Sequence, residues 1–116
     1  MNNKPKYNLF KNTKYAVDGL KYAYKTESSF KLELLSFIVI FPAVYLIDAS
    51  LEAKMILFMT AFFVLIVELV NSSIENAVDL VTKEIHPLAK SAKDIGATAV
   101  MFSIVLHLLC WIIILF

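Results

Sequence analysis

Arginine is absent from this sequence. All eleven basic residues are lysine, and ten acids nearly balance them to leave a net charge of +1. Binding nucleic acid needs a concentrated basic surface, so no nucleic-acid partner is expected. The single cysteine, Cys110, has no second thiol in the chain to pair with and cannot build a cysteine-based metal site. Two glycines and three prolines are too few for collagen-like or low-complexity sequence. With glycine only at Gly19 and Gly96, neither GxxxxGK[ST] nor GxGxxG can occur. HExxH, a serine-nucleophile elbow and the motifs of soluble protein kinases are also missing. Charge itself is scarce, at 18% of residues against about 25% in soluble domains.

Apolar residues fill the space that charge leaves. They make up 59% of the chain, against about 45–50% in soluble domains, and mean hydropathy is +0.72. The 116 residues allow one domain, 1–116. This composition predicts an all-α membrane protein. About 20 apolar residues cross a hydrocarbon core as a helix, and three stretches qualify: 28–49, 55–81 and 95–116. The first has the shortest uninterrupted apolar core, Leu34 to Ile47. It needs Phe30 and Leu32 to reach spanning length, which puts Lys31 and Glu33 near a boundary as lipid contacts. Pro42 can bend this helix. Trp111 is expected as an interface anchor and lipid contact in the last span. No domain is expected after Phe116, and no signal peptide precedes residue 30.

The first 25 residues hold six lysines (Lys4, Lys6, Lys11, Lys14, Lys21 and Lys25) and one acid, Asp18, interleaved with aromatic and aliphatic side chains. That mixture predicts an amphipathic interfacial helix at about 5–26. Lysine placement predicts topology. The N-terminus and the loop Thr82–Asp94 should be cytoplasmic, and the loop Asp48–Lys54 and the C-terminus should face out. The expected location is the bacterial cytoplasmic (inner) membrane, as a multi-pass protein.

One span carries acids. Glu68, Asn71, Glu75 and Asp79 fall within a stripe about 80° wide on a helix, with Ser72 at its border. Leu69, Val70, Ile74 and Val81 take the other side. Glu68 lies about 21 Å along the helix from Lys54, several ångströms inside the cytoplasmic boundary. An ionised carboxylate there costs about 2–3 kcal/mol, so it needs a partner, a proton or water. Glu27 sits at the same level, where the basic helix meets the first span, and could meet Glu75. Two carboxylates at a lipid–water boundary suit Mg²⁺. The following loop adds Glu84, His86, Lys90, Lys93 and Asp94, and lysines beside Mg²⁺ suit phosphate groups. His107 is expected to hydrogen-bond between helices. Physical chemistry alone thus points to a cytoplasm-facing acidic site and leaves the reaction open.

The segment Glu68 to Asp79 (ELVNSSIENAVD), with Ala92-Lys93-Asp94 after it, resembles the bacterial membrane diacylglycerol kinase family. That family's pattern is E-[IVL]-x-N-[ST]-[AS]-I-E-x-x-V-D, then A-K-D. The likeness extends to Gly19-Leu20, to Glu27 through Glu33 (ESSFKLE) and to the three-span layout. It implies homotrimers that transfer the γ-phosphoryl group of MgATP to a lipid alcohol, diacylglycerol, within membrane lipids. Glu68 matches the family's catalytic base, and Glu27 and Glu75 match its Mg²⁺ carboxylates. Tyr15, Asn71, Glu84, His86, Lys93 and Asp94 match positions around the nucleotide, with Ser72 and Asp79 in support. Asn8 and Asp18 depart from the basic or neutral residues of some relatives.

Three other readings compete. Undecaprenol kinases share the site and the ENAVDLV segment, but carry runs such as KEERN near the first glutamate and AAGA after A-K-D. This chain has TESSFKLE and IGATA, which favours the diacylglycerol type. A structural protein would use the stripe only as glue between helices. A small cation transporter would use Glu68 without consuming ATP.

Overall fold

The computed structural model describes residues 6–116. Lys4 and the first residue of the expected interfacial helix, Pro5, lie outside the described residues. Four helices follow one another: α1 Leu9–Thr26, α2 Ser28–Leu46, α3 Leu51–Val81 and α4 Pro87–Leu115. There is no strand among the described residues. The last three helices are long and apolar enough to cross a membrane.

Local chemistry sets each boundary. Asn8 caps α1, its side-chain oxygen accepting from the Lys11 backbone N–H at 3.2 Å. A basic residue there would lack that acceptor, which gives this departure a structural use. Glu27 is extended (φ −110°, ψ 100°) and is at once the last cap of α1 and the first of α2. One residue therefore turns the chain from the lysine-rich helix into the apolar one. Pro42 lies inside α2 without ending it.

Two helices begin earlier than the sequence predicts. The second spanning helix starts at Leu51 rather than 55, because Ser50 accepts from the Ala53 N–H at 3.2 Å and Glu52 sits in the positive first turn. Lys54, placed in a loop by its charge, instead reaches from α3 to the Tyr45 carbonyl at 2.7 Å and over the Tyr45 ring. It thereby satisfies one of the carbonyls left open at the end of α2. The last helix starts at Pro87 rather than 95. His86 caps it by accepting from the Leu88 N–H at 3.1 Å, and proline suits the first helical position. The expected long loop shrinks to the residues between Val81 and Pro87, and Lys90, Lys93 and Asp94 become helical.

α3 is the centre of the packing. Against α2 it sets Phe62 edge-on to Phe37, with ring centroids 5.5 Å apart, and Phe58 against Phe41 at 4.7 Å. Each such pair is worth about 0.5–1.5 kcal/mol beyond area burial. Ala23 of α1, Phe30 of α2 and Leu65 of α3 form a buried cluster that Leu34, Phe37 and Leu69 flank. Antiparallel α4 lies along the other side of α3, with Thr60 against His107 and Asn71 against Gly96. Most large apolar side chains of the spanning helices stay exposed, including Ile38, Met59, Phe102 and Ile113. A surface of that kind is stable against lipid.

Candidate active site

The stripe on α3 runs from buried to half-buried. Glu68 (6% exposed), Asn71 and Ser72 are buried, while Glu75 and Asp79 are half-buried. Val70, Ile74 and Val81, on the opposite side, are exposed. Polar groups therefore face the other helices and apolar ones face outward, as the spacing predicts.

Side chains link along this stripe. Asn71 Nδ2 donates to Glu75 Oε1 at 3.1 Å. Lys93 of α4 crosses to Asp79 at 2.6 Å and lies within electrostatic reach of Glu75. Glu68 feels the charges of both Glu75 and Glu27, so the three carboxylates share one region. Glu33 joins them from α2: it is half-buried and lies within electrostatic reach of Glu68. It faces the bundle rather than the lipid boundary expected of it, because two residues, about 200° of helix, separate it from exposed Lys31, which lies over the Tyr24 ring. Three buried oxygens in this region have no hydrogen-bond partner among the described residues: Glu33 Oε2, Glu68 Oε2 and Asn71 Oδ1. Buried polar atoms are nearly always paired, so three orphans together mark a place where a ligand or water completes the structure.

Two openings flank the stripe. Glu27 lines a cleft of about 430 Å³ between α1 and α3, with Gly19, Ala23, Ser72 and Asn76. Asp79, Glu84, His86, Lys90 and Lys93 line a pocket of about 260 Å³ at the α3–α4 turn. The structure thus brings Glu84, His86 and Lys93 together, and separately groups Glu68, Asn71, Glu75 and Glu27. Tyr15 is exposed on α1 and lines neither opening. Asp94 pairs with Lys90 on its own helix at 2.5 Å. Among the described residues no three acidic, histidine or cysteine side chains converge closely enough to cage a metal. Mg²⁺ bound together with a nucleotide uses one or two carboxylates plus phosphates and water. An all-oxygen set of glutamates with orphaned neighbours fits that mode.

The prokaryotic diacylglycerol kinase family model matches residues 14–115, which includes every residue named above from Tyr15 to Trp111. The chain belongs to this family. It is 41% identical over 104 residues to a diacylglycerol kinase of Helicobacter pylori, covering 89% of this chain and 80% of that protein. It is 36% identical over 103 residues to one from Pseudomonas aeruginosa (89% and 84% covered). Against one from Escherichia coli K12 it is 31% identical over 107 residues (92% and 88% covered). With three spanning helices, this family member is a multi-pass membrane protein.

A second polar cluster lies deeper along the α3–α4 seam. Thr60 Oγ1 and His107 Nδ1 are 2.7 Å apart, and Trp111 Nε1 donates to His107 Nε2 at 2.9 Å. His107 bridges helices as expected. Trp111, expected to anchor at the interface, turns its only polar atom inward instead. Its partner His107 lies one turn away on the same helix, and nothing in the sequence marks Thr60 as the third member. Since Nε2 accepts from the indole, Nδ1 carries the proton of a neutral ring and donates to Thr60, whose hydroxyl donates to the Ile56 carbonyl at 2.9 Å.

Proposed function

We propose that this chain is an ATP-dependent diacylglycerol kinase that makes phosphatidic acid at the cytoplasmic face of the inner membrane. The observation that carries the reading is the α3 stripe itself, a buried carboxylate with an orphaned oxygen one helical turn and more below carboxylates that reach the surface. A lipid alcohol approaches from the bilayer side and a nucleotide from water, so a phosphoryl-transfer site between them needs this gradient of depth.

Glu68 holds the proton lost by the lipid hydroxyl as its oxygen bonds to the γ-phosphorus and the bond to ADP breaks. Glu75 and Glu27 are the carboxylates that would hold Mg²⁺, which would neutralise charge on the phosphates. Lys93 adds positive charge, and Asp79 aims it. Glu84 and His86 line the pocket at the α3–α4 turn, on the nucleotide side. Asn71 orients Glu75. Asp94 borders the nucleotide pocket through its partner Lys90, whereas Tyr15 lines neither opening and would reach the nucleotide of a neighbouring subunit in the expected homotrimer. The N-terminus is cytoplasmic and the C-terminus outside, with α1 in the membrane interface. Of the expected lipid contacts, only exposed Lys31 keeps that role, since Glu33 and Trp111 turn into the bundle.

The test is phosphorylation of diacylglycerol and undecaprenol offered in parallel in mixed micelles with ATP and Mg²⁺. Phosphatidic acid is expected from the wild-type chain and not from Glu75→Gln. Preference for undecaprenol would move the chain to the sister activity. No phosphorylation of either lipid by folded protein would overturn the reading.

A further inference from the structure

Gly96 sits in the interior of α4, between its second and third turns, with ordinary helical geometry, since no glycine among the described residues has a positive φ. Glycine in a helix interior costs about 1 kcal/mol relative to alanine. Its use here must be space. A Cβ on Gly96 would collide with Asn71 Oδ1 and sit 3.2 Å from Asn71 Cγ, and no other neighbouring side chain or helix comes within 4 Å of it. Gly19, by contrast, has nothing within 4 Å. The vacancy at Gly96 is therefore filled by one amide group.

That amide has a defined orientation. Asn71 Nδ2 donates to Glu75 Oε1, which as a carboxylate oxygen accepts. The carbonyl oxygen must then turn the other way, against the bare backbone of Gly96, where it is buried and unpartnered. We propose that Gly96 is a positioning residue that holds Glu75 through Asn71. The inference rests on the metal-binding role of Glu75 proposed above. A methyl group at position 96 would be accommodated by rotating the Asn71 side chain, because the obstructing atoms are the end of that side chain. The helices would stay in register, and the bond to Glu75 would be lost.

The test uses the full chain in detergent micelles. Mn²⁺ binding with a non-hydrolysable ATP analogue is followed by electron paramagnetic resonance, alongside the Mg²⁺ dependence of lipid phosphorylation. Gly96→Ala should weaken Mn²⁺ binding about tenfold and raise the Mg²⁺ requirement in parallel, as loss of a ligand's supporting hydrogen bond does. The KM for lipid should not move. In an Asn71→Ala background, where nothing obstructs the new methyl, Gly96→Ala should add no further loss. Additive losses would overturn the proposal, as would unchanged Mn²⁺ binding in Gly96→Ala when Glu75→Gln has weakened it. Wild-type Mn²⁺ binding by Glu75→Gln would instead remove the metal reading and the proposal with it. Should Gly96→Ala fail to fold, Asn71→Ala is expected to rescue it, and failure of that rescue counts against the proposal.

Discussion

The α3–α4 seam contains two polar clusters at different depths, and they are completed differently. In the inner cluster each group finds a partner: Trp111 donates to His107, His107 to Thr60 and Thr60 to the Ile56 carbonyl. Around Glu68 and Asn71, two helical turns or more along α3, oxygens are buried and left over. Both clusters consist of side chains costly to bury in an apolar helix bundle. The saturated one can do nothing further, and its role is to tie α4 to α3. The unsaturated one has acceptors to spare, and all of its leftover atoms are oxygens, suited to a hydroxyl, a cation or water. Unmet hydrogen-bonding capacity separates structural glue from a reactive site better than polarity does.

Substitutions at the two ends should therefore fail in different ways. The largest effect is expected for Glu68→Gln, which should reduce lipid phosphorylation about 10²–10⁴-fold, the usual contribution of a general base. Its unfolding in detergent should barely change. A parallel loss of stability would make Glu68 a structural residue and erase the contrast.

His107→Leu should show the opposite pattern. It strands Trp111 Nε1 and removes the bond from α4 to Thr60, whose hydroxyl keeps the Ile56 carbonyl, so stability should fall by about 1–2 kcal/mol, the upper part of the range for side-chain hydrogen bonds in membranes. Thermal unfolding in detergent measures this, and turnover per folded molecule should remain. Adding Thr60→Val to His107→Leu should cost less than the two separate losses summed, because the pair shares one bond.

The smallest effect is expected at the surface. Lys90 and Asp94 form an exposed pair one turn apart on α4. Such pairs contribute little, since water screens them and two flexible side chains must be held. Lys90→Ala should leave the unfolding midpoint unchanged at both low and high salt. A shift that salt abolishes would show that the start of α4 depends on this pair.

Much of this architecture is legible in the residues. Apolar run lengths locate three spanning helices, and the spacing of Glu68, Asn71, Glu75 and Asp79 places them on one face, because helical periodicity is a local property. Helix starts are read less well. Charged Lys54, Lys90 and Lys93 look like loop residues, yet Ser50 and the His86-Pro87 cap start their helices earlier. The family motif draws attention to Asn71 and Glu75 but says nothing of Gly96, whose contribution is an absence that matters only against a neighbouring helix.

The sequence by itself determined the membrane class, the helix count and the polar face of α3, since each follows from composition and from repeats along one chain segment. Only tertiary structure decided that Glu33 faces the bundle within reach of Glu68, that Thr60 meets His107, and that Asn71 fills the space at Gly96. Those outcomes depend on the register and rotation of whole helices against each other. Contacts spread along their full length set both, and no local stretch of sequence contains them.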